Sequence, residues 1–179
     1  AQTGASGPAP GAPLLPGAPL PPPVLDHDPG AGAWTPRAST LSPQEARFLA
    51  LGRRHIEEMW ASGRTELAHA IYAPDIVDCN PAPGQRPGVE GIVELVGGLR
   101  QAVPDLRMTL EAYLVDGNRV VDRWLMEGTH TGAPLLGVAP SGKRFRFHGM
   151  DISRFRPDGL IDEVFHVEEF AQLRAQLLG

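Results

Sequence analysis

The chain has 179 residues, a formal net charge of −5 and a single cysteine, Cys79. An acidic chain without a basic run argues against nucleic-acid binding. No apolar stretch reaches the roughly 18–20 residues of a membrane-spanning helix, and a lone cysteine excludes an intrachain disulfide.

Composition divides the chain at about residue 40. Residues 1–40 hold 10 of the 19 prolines and 6 of the 21 glycines, which predicts a disordered arm. Residues 41–179 are long enough for one domain with its own core. The chain starts at Ala1 with the sequence Ala-Gln-Thr, followed by a run rich in Pro, Ala and Gly. Such a beginning is typical of the new N-terminus that signal-peptide cleavage leaves. We therefore expect a periplasmic or secreted protein, with a cytoplasmic location as the alternative.

Helical patterns come first in the domain. Ser42 as the N-cap, Pro43 at the first helical position and Glu45 predict a helix start. This helix is expected to end at Gly63, and two others are predicted over 64–72 and 88–102. The proline-containing segment 73–88 between them is predicted to be a loop. One stripe of the first helix carries Phe48, Gly52, His55, Ile56, Met59 and Trp60.

From Leu106 the apolar period changes to two. The pattern predicts strands over 106–115, 119–130, 143–155 and 160–167, followed by a short C-terminal helix. Asp116-Gly117-Asn118 and Pro157-Asp158-Gly159 are turn signals between strands. Helices followed by an antiparallel meander predict the α+β class.

Asp151 is the main candidate for chemistry, because it lies on the apolar face of the strand over 143–155. A carboxylate there must be paired, solvated in a cavity or raised in pKa. It is therefore either a structural aspartate held by backbone donors or a functional group lining a cavity. The same face carries Phe145, Phe147, Gly149, Ser153 and Phe155.

His166 on the next strand is the candidate partner of Asp151. A two-residue hairpin turn would set Asp151 opposite Val164 and make His166 a diagonal neighbour on the same face. A three-residue loop with a bulge would shift the pairing by one residue and turn His166 away. The spacing alone leaves both arrangements open.

The remaining histidines, tryptophans and Cys79 allow functional and structural interpretations. His130 lies at the end of a predicted strand, where it is either a ligand contact or a surface residue. His55 is expected to be a core histidine whose ring nitrogens are hydrogen-bonded. Trp60 and Trp124 are expected in the core or as the wall of a cavity. A lone Cys79 is expected to be a small buried apolar residue.

Several short motifs, in order, resemble the SnoaL-like polyketide cyclase family over residues 43–179. They include Val103-Pro104-Asp105-Leu106, Gly128-Thr129-His130-Thr131-Gly132, Gly149-Met150-Asp151-Ile152 and Asp158-Gly159-Leu160-Ile161-Asp162-Glu163. The resemblance implies a cone-shaped α+β barrel, with three N-terminal helices in a curved antiparallel sheet around one apolar pocket. It also implies ring closure by aldol condensation, or a related isomerisation, without metal or cofactor.

The resemblance assigns roles to individual residues. Asp151 falls where these cyclases have a catalytic-site histidine and His166 where they have the catalytic aspartate, so the two residue types are exchanged. Asn80, His130 and Trp60 match pocket residues of the family. We expect a catalytic pair Asp151–His166 in a pocket lined also by Trp124, Phe145 and Phe147. The alternatives are a non-catalytic binding protein and a hydrolase or dehydratase on the same scaffold.

The resemblance also implies partners. The expected ligand is a small apolar molecule with a carbonyl group. Family members usually pair through the outer face of the sheet, which here carries Met150, Ile152 and Phe165. A homodimer is therefore expected.

Overall fold

A computed structural model describes residues 41–179, so the arm predicted over residues 1–40 lies outside the described residues. The first helix, α1 (Pro43–Arg54), starts as predicted. The backbone N–H of Glu45 donates to Ser42 Oγ, and the N–H of Ser42 donates to the Glu45 carboxylate. No helix in residues 41–179 is long and apolar enough to cross a membrane.

The segment after α1 is less regular than predicted. A π-helical turn over His55–Trp60 continues α1, and a 3₁₀ turn over Thr65–Leu67 leads into the short helix α2 (Ala68–Ile71). Helix α3 (Val89–Ala102) and the C-terminal helix α4 (Phe170–Leu178) agree with the predicted positions. The π-helical turn carries His55 towards the interior, and such turns are frequent at functional sites.

Within residues 41–179, five strands form one curved, unclosed sheet in the order β1-β5-β4-β3-β2. Pairing is antiparallel from β5 through β2, as predicted. The elements are β1 (Tyr72–Asp78), β2 (Arg107–Asp116), β3 (Arg119–Thr129), β4 (Arg144–Phe155) and β5 (Ile161–Glu168). The α+β cone fold expected from the sequence is confirmed.

The prediction of a loop throughout 73–88 is wrong, because the first part of that segment belongs to β1. This strand pairs with β5 in parallel and with an interrupted register, so Pro74 is tolerated at the edge of the sheet. Cys79 directly follows β1 and is exposed, which contradicts the expected burial.

The hairpin between β4 and β5 combines two irregularities. Arg156 N–H donates to Leu160 O across a three-residue loop, which shifts the pairing by one residue from the two-residue hairpin. A bulge at Asp162 then adds a second shift, because Arg154 pairs with Glu163 whereas Phe155 pairs with Ile161. The two shifts restore the original face, and Asp151 lies directly opposite His166.

The core fills the concave side of the sheet in two apolar clusters. One cluster contains Phe48, Ile92 and Val164, and the other contains Trp124, Phe147 and Leu173. Alternate residues of β4 point into this core, as predicted from its sequence.

Candidate active site

A cavity of about 540 Å³ opens on the concave side of the sheet. Its volume lies in the range of small-molecule sites. Both apolar clusters contribute to its wall. Its aromatic residues are Trp60, Tyr72, Trp124, Phe147 and Phe170, and its titratable residues are His55, Asp78, Glu94, Asp151, His166 and Glu168.

Most of the site residues predicted from the sequence meet at this cavity. Its lining includes Asn80, Trp60, Trp124, Phe147, Asp151 and His166.

Phe145 and His130 do not line the cavity, contrary to expectation. Phe145 is fully buried in the apolar cluster that contains Trp124. His130 is also fully buried, with Nε2 2.9 Å from Ala133 O and Nδ1 3.3 Å from Ser141 Oγ. Its ring therefore braces the loop after β3 from inside the fold.

Asp151 faces a second buried carboxyl group. Asp122 is its direct partner across β3 and β4, and the Asp122 carboxylate oxygens have no hydrogen-bond partner among residues 41–179. His55 approaches from the π-helical turn, with Nε2 3.8 Å from Asp151 Oδ2. One ligand atom from each of His55, Asp122 and Asp151 lies within 4.8 Å of the others.

Burial determines the protonation of this group. Burial raises the pKa of Asp151 to about 7, whereas the hydrogen-bond donor of the nearby Trp124 indole and the positive charge of His166 lower it. Burial, followed by the proximity of Asp151, raises the pKa of Asp122 well above its ordinary value. Burial lowers the pKa of His55 to about 3, assisted by the charge of His166. Near neutral pH, His55 is therefore uncharged, burial favours the protonated form of Asp122, and Asp151 is close to its titration midpoint.

The same three residues could surround a metal ion, because imidazole nitrogen and carboxylate oxygen are common ligands of zinc. Two buried carboxyl groups this close to each other do not readily ionise together, so one of them can alternatively keep its proton. The raised pKa of each carboxyl favours the protonated form of the pair at neutral pH.

Two uncharged hydrogen-bond donors face the cavity. Trp124 lies opposite Gly149, where a Cβ atom would overlap the indole ring, so the glycine makes room for the tryptophan. The Trp124 Nε1–H has no acceptor within 3.5 Å in the described residues, but it lies close enough to the Asp151 carboxylate to lower the pKa of that group. Tyr72 accepts a hydrogen bond from Trp60 Nε1 at 3.1 Å, and burial raises its pKa, which keeps its hydroxyl protonated.

His166 is bound by two carboxylates other than Asp151. Its Nε2 lies 2.8 Å from Asp78 Oδ1, and its Nδ1 lies 2.5 Å from Glu168 Oε1. Burial lowers the pKa of His166, but hydrogen bonds to both carboxylates outweigh it and raise the value to about 10. Asp151 and His166 thus share the cavity, but no ring nitrogen of His166 is left for Asp151.

Sequence reasoning missed Asp122, Asp78 and Glu168. Asp122 had a usable signal, because it interrupts the apolar face of β3 between Val120 and Trp124, as Asp151 does on β4. Asp78 gave no signal, since its strand was predicted to be a loop. The interpretation of His55 as a satisfied core histidine is wrong, because its Nδ1 has no partner among residues 41–179.

Comparisons with known proteins agree with this architecture. The sequence profile of the SnoaL-like polyketide cyclase family matches residues 50–177. No curated protein sequence matches this chain significantly.

Solved structures provide similar folds at low identity. A proposed polyketide cyclase from Bacillus cereus ATCC 10987 is 28% identical, with a TM-score of 0.66 over 76% of this chain and 85% of that one. IdmH, a proposed polyketide cyclase from Streptomyces antibioticus, is 26% identical, with a TM-score of 0.61 over 76% of this chain and 99% of IdmH. AclR, a proposed hydroxylase from Streptomyces galilaeus, is 25% identical, with a TM-score of 0.64 over 74% of this chain and 82% of AclR.

The family profile covers well over half of the chain, and the five-stranded sheet encloses a cavity on its concave side. The chain belongs to the SnoaL-like polyketide cyclase family.

Proposed function

We propose that this chain is an enzyme that removes a proton next to a carbonyl group of an apolar ligand, with Asp151 as the general base. The resulting enolate would then close a ring by an aldol step or be reprotonated in an isomerisation. One observation carries the proposal: a nearly fully buried carboxyl group, with a pKa of about 7, on the wall of the cavity.

The pKa of Asp151 suits a base that works near neutral pH. An ordinary aspartate, with a pKa near 4, is a weak proton acceptor, and efficiency increases as the pKa approaches the ambient pH. Burial supplies this increase, and the positive charge of His166 limits it. The raised pKa of Asp122 favours its protonated form, which adds no negative charge beside Asp151 when Asp151 ionises.

The enolate oxygen needs hydrogen-bond donors. Trp124 Nε1–H is a buried donor that lies near Asp151 without an acceptor within 3.5 Å in residues 41–179, and it becomes available to the ligand when Asp151 takes up the proton. The Tyr72 hydroxyl proton is available because that oxygen accepts from Trp60. Losing one donor of this kind typically slows a reaction by about 10²–10³-fold. His166 donates no hydrogen bond to the enolate in this scheme, since both of its ring nitrogens contact carboxylates.

His166 acts in this scheme through its charge. When Asp151 takes a proton, one negative charge moves from the carboxylate to the ligand oxygen, so the total charge in the cavity is unchanged. The His166 imidazolium, held between Asp78 and Glu168, lowers the pKa of Asp151 and so favours the ionised form of this base.

A dehydration on the same scaffold is the second candidate. Tyr72, whose raised pKa keeps its hydroxyl protonated, lines the cavity together with Asp151 and would supply an acid beside a base, which is the pairing that loss of a hydroxyl group requires. The similarity to AclR, a proposed hydroxylase, also indicates that this fold accommodates chemistry other than cyclisation.

Proton exchange in a simple ketone tests the proposal without knowledge of the natural substrate. In deuterated water, we expect the protein to accelerate hydrogen–deuterium exchange at the α-carbon of α-tetralone, followed by proton NMR. Asp151→Asn removes the base and should abolish the acceleration. Ser153→Ala, next on the same face of β4 but outside the cavity lining, is the matched control and should retain it. Equal rates in wild type and Asp151→Asn would refute Asp151 as the base.

A further inference from the structure

The charges around the cavity are nearly all of one sign. Among residues 41–179, no lysine or arginine lines it, whereas Asp78, Asp151 and Glu168 do. Glu94 also lines the cavity, but it is paired with Arg86 at 2.8 Å. Among the described residues that line the cavity, His166 is positively charged at neutral pH, whereas His55 stays neutral.

The hydrogen bonds of His166 make it a poor receptor for an anionic ligand. Its two ring nitrogens lie 2.8 Å from the Asp78 carboxylate and 2.5 Å from the Glu168 carboxylate. The three side chains together therefore carry one net negative charge. A ligand carboxylate or phosphate would find no free N–H on this ring and would meet two carboxylates beside it.

The wall of the cavity suits an organic cation. Five aromatic side chains line it, and the Trp124 and Phe147 rings meet edge to face at 5.7 Å. Phe170 lies 6.2 Å from Phe147 and is partly exposed, so it lies near the opening. Aromatic faces attract ammonium groups, and the attraction increases when the site excludes water.

We propose that the cavity selects apolar ligands that carry an ammonium group over neutral and anionic ligands of the same shape. This inference rests on the proposed function in taking the same cavity as the substrate site, and it narrows the substrate class to an amine-bearing carbonyl compound. The ammonium group would lie beside the net negative Asp78–His166–Glu168 triad, and the ring system would lie against the aromatic wall.

The contribution of the triad to the preference depends on its one net charge in a partly desolvated site, and ionised Asp151 adds a second negative charge to the cavity. At an effective dielectric constant of about 20 and a separation of about 6 Å, one unit charge changes a dissociation constant by on the order of 100-fold. Solvent at the open end of the cavity weakens this effect. We therefore expect at least about a tenfold difference between a cation and an anion of matched shape.

Three bicyclic probes of matched shape test the selectivity: naphthylmethylamine, naphthylmethanol and naphthoate. Their dissociation constants are measured by tryptophan fluorescence and calorimetry at about pH 8, where Asp151 is ionised and His166 remains charged. We expect the amine to bind most tightly and the carboxylate least tightly. Equal affinities, tighter binding of naphthoate or no binding of the amine would overturn the proposal.

Two glutamate variants on β5 assign the effect to the triad. Glu168→Gln makes the triad neutral and should reduce the amine-to-carboxylate ratio by about tenfold or more. Glu163→Gln removes the same charge from a residue that pairs with Arg154 at 3.0 Å and does not line the cavity. This control should keep the wild-type ratio, and an equal loss in both variants would contradict the assignment.

The binding and exchange experiments fail independently. Selective amine binding by a protein that never exchanges ketone protons would keep this inference and refute the proposed enzyme. Ketone exchange by a protein that binds the three probes equally would keep the enzyme and refute the charge selectivity.

Discussion

Replacing His166 by Gln should destabilise the fold and remove a pH dependence of stability. In the folded protein two carboxylates raise the pKa of His166 from 6.5 to about 10. At 1.36 kcal/mol per pKa unit, this difference corresponds to roughly 4–5 kcal/mol for the charged form. His166 is 13% exposed, so solvent screening and ordering of the side chains reduce the expected loss to about 2–4 kcal/mol.

The sign of the pH dependence is set by the raised pKa. The contribution of His166 is complete below pH 6.5 and is lost as the pH rises towards about 10. Urea denaturation of wild type and His166→Gln across this window should therefore give a free-energy difference that is largest at the acidic end. Asp151 also titrates in this window, and loss of the His166 charge raises its pKa further, so Asp151→Asn is used as the background for both proteins.

His69→Gln is the matched control for this experiment. His69 also contacts a carboxylate, Glu90, at 3.2 Å, but its side chain is 63% exposed, so its loss should cost less than about 1 kcal/mol. Parallel stability curves for wild type and His166→Gln from pH 6.5 to 10 would refute the assignment of a buried, charged His166.

Three further predictions concern other parts of the fold. Gly149→Ala should push Trp124 from its position and cost about 1–3 kcal/mol of unfolding free energy; unchanged stability and tryptophan fluorescence would contradict the packing. Asp122→Asn should gain stability relative to wild type by more than about 1 kcal/mol as the pH rises from about 5 to 8, because the raised pKa of this buried carboxyl makes its loss of a proton costly. Urea denaturation that gives the same difference in unfolding free energy between the two proteins at every pH would be evidence against it. We also propose that a homodimer forms through the exposed outer face around Ile152 and Phe165, so that Phe165→Glu should yield monomers in light scattering; a monomeric wild type at micromolar concentration would exclude this interface.

Sequence patterns predicted the parts of the fold that depend on local chemistry. The N-cap residue Ser42 predicted a helix start, and the alternation of apolar and polar residues along β4 predicted an inward-facing Asp151. Both predictions agree with the structure. β1 escaped prediction because Pro74 and an interrupted register hide the pattern of an edge strand. Its parallel pairing with β5 is a long-range contact that no local signal reports.

The surroundings of Asp151 and His166 illustrate the same limit. A three-residue loop with a bulge was expected from the sequence to turn His166 away, and this expectation is wrong. In the structure the loop and the bulge each shift the pairing by one residue, and the two shifts together return His166 to the face of Asp151. His166 therefore reaches the Asp151 face, but its ring binds Asp78 from a distant strand. Side-chain partners across strands depend on the assembled sheet, so spacing could place the two residues on one face without identifying their contacts.

The titration of Asp151 tests the central claim most directly. Carboxyl-carbon NMR of the labelled protein should give Asp151 an apparent pKa near 7, and the rate of ketone proton exchange should rise with the same pKa. Asp151→Asn should remove both the NMR signal and the pH-dependent rate. An Asp151 carboxyl that titrates near its ordinary value of about 4, or an exchange rate whose pH dependence survives Asp151→Asn, would contradict the account.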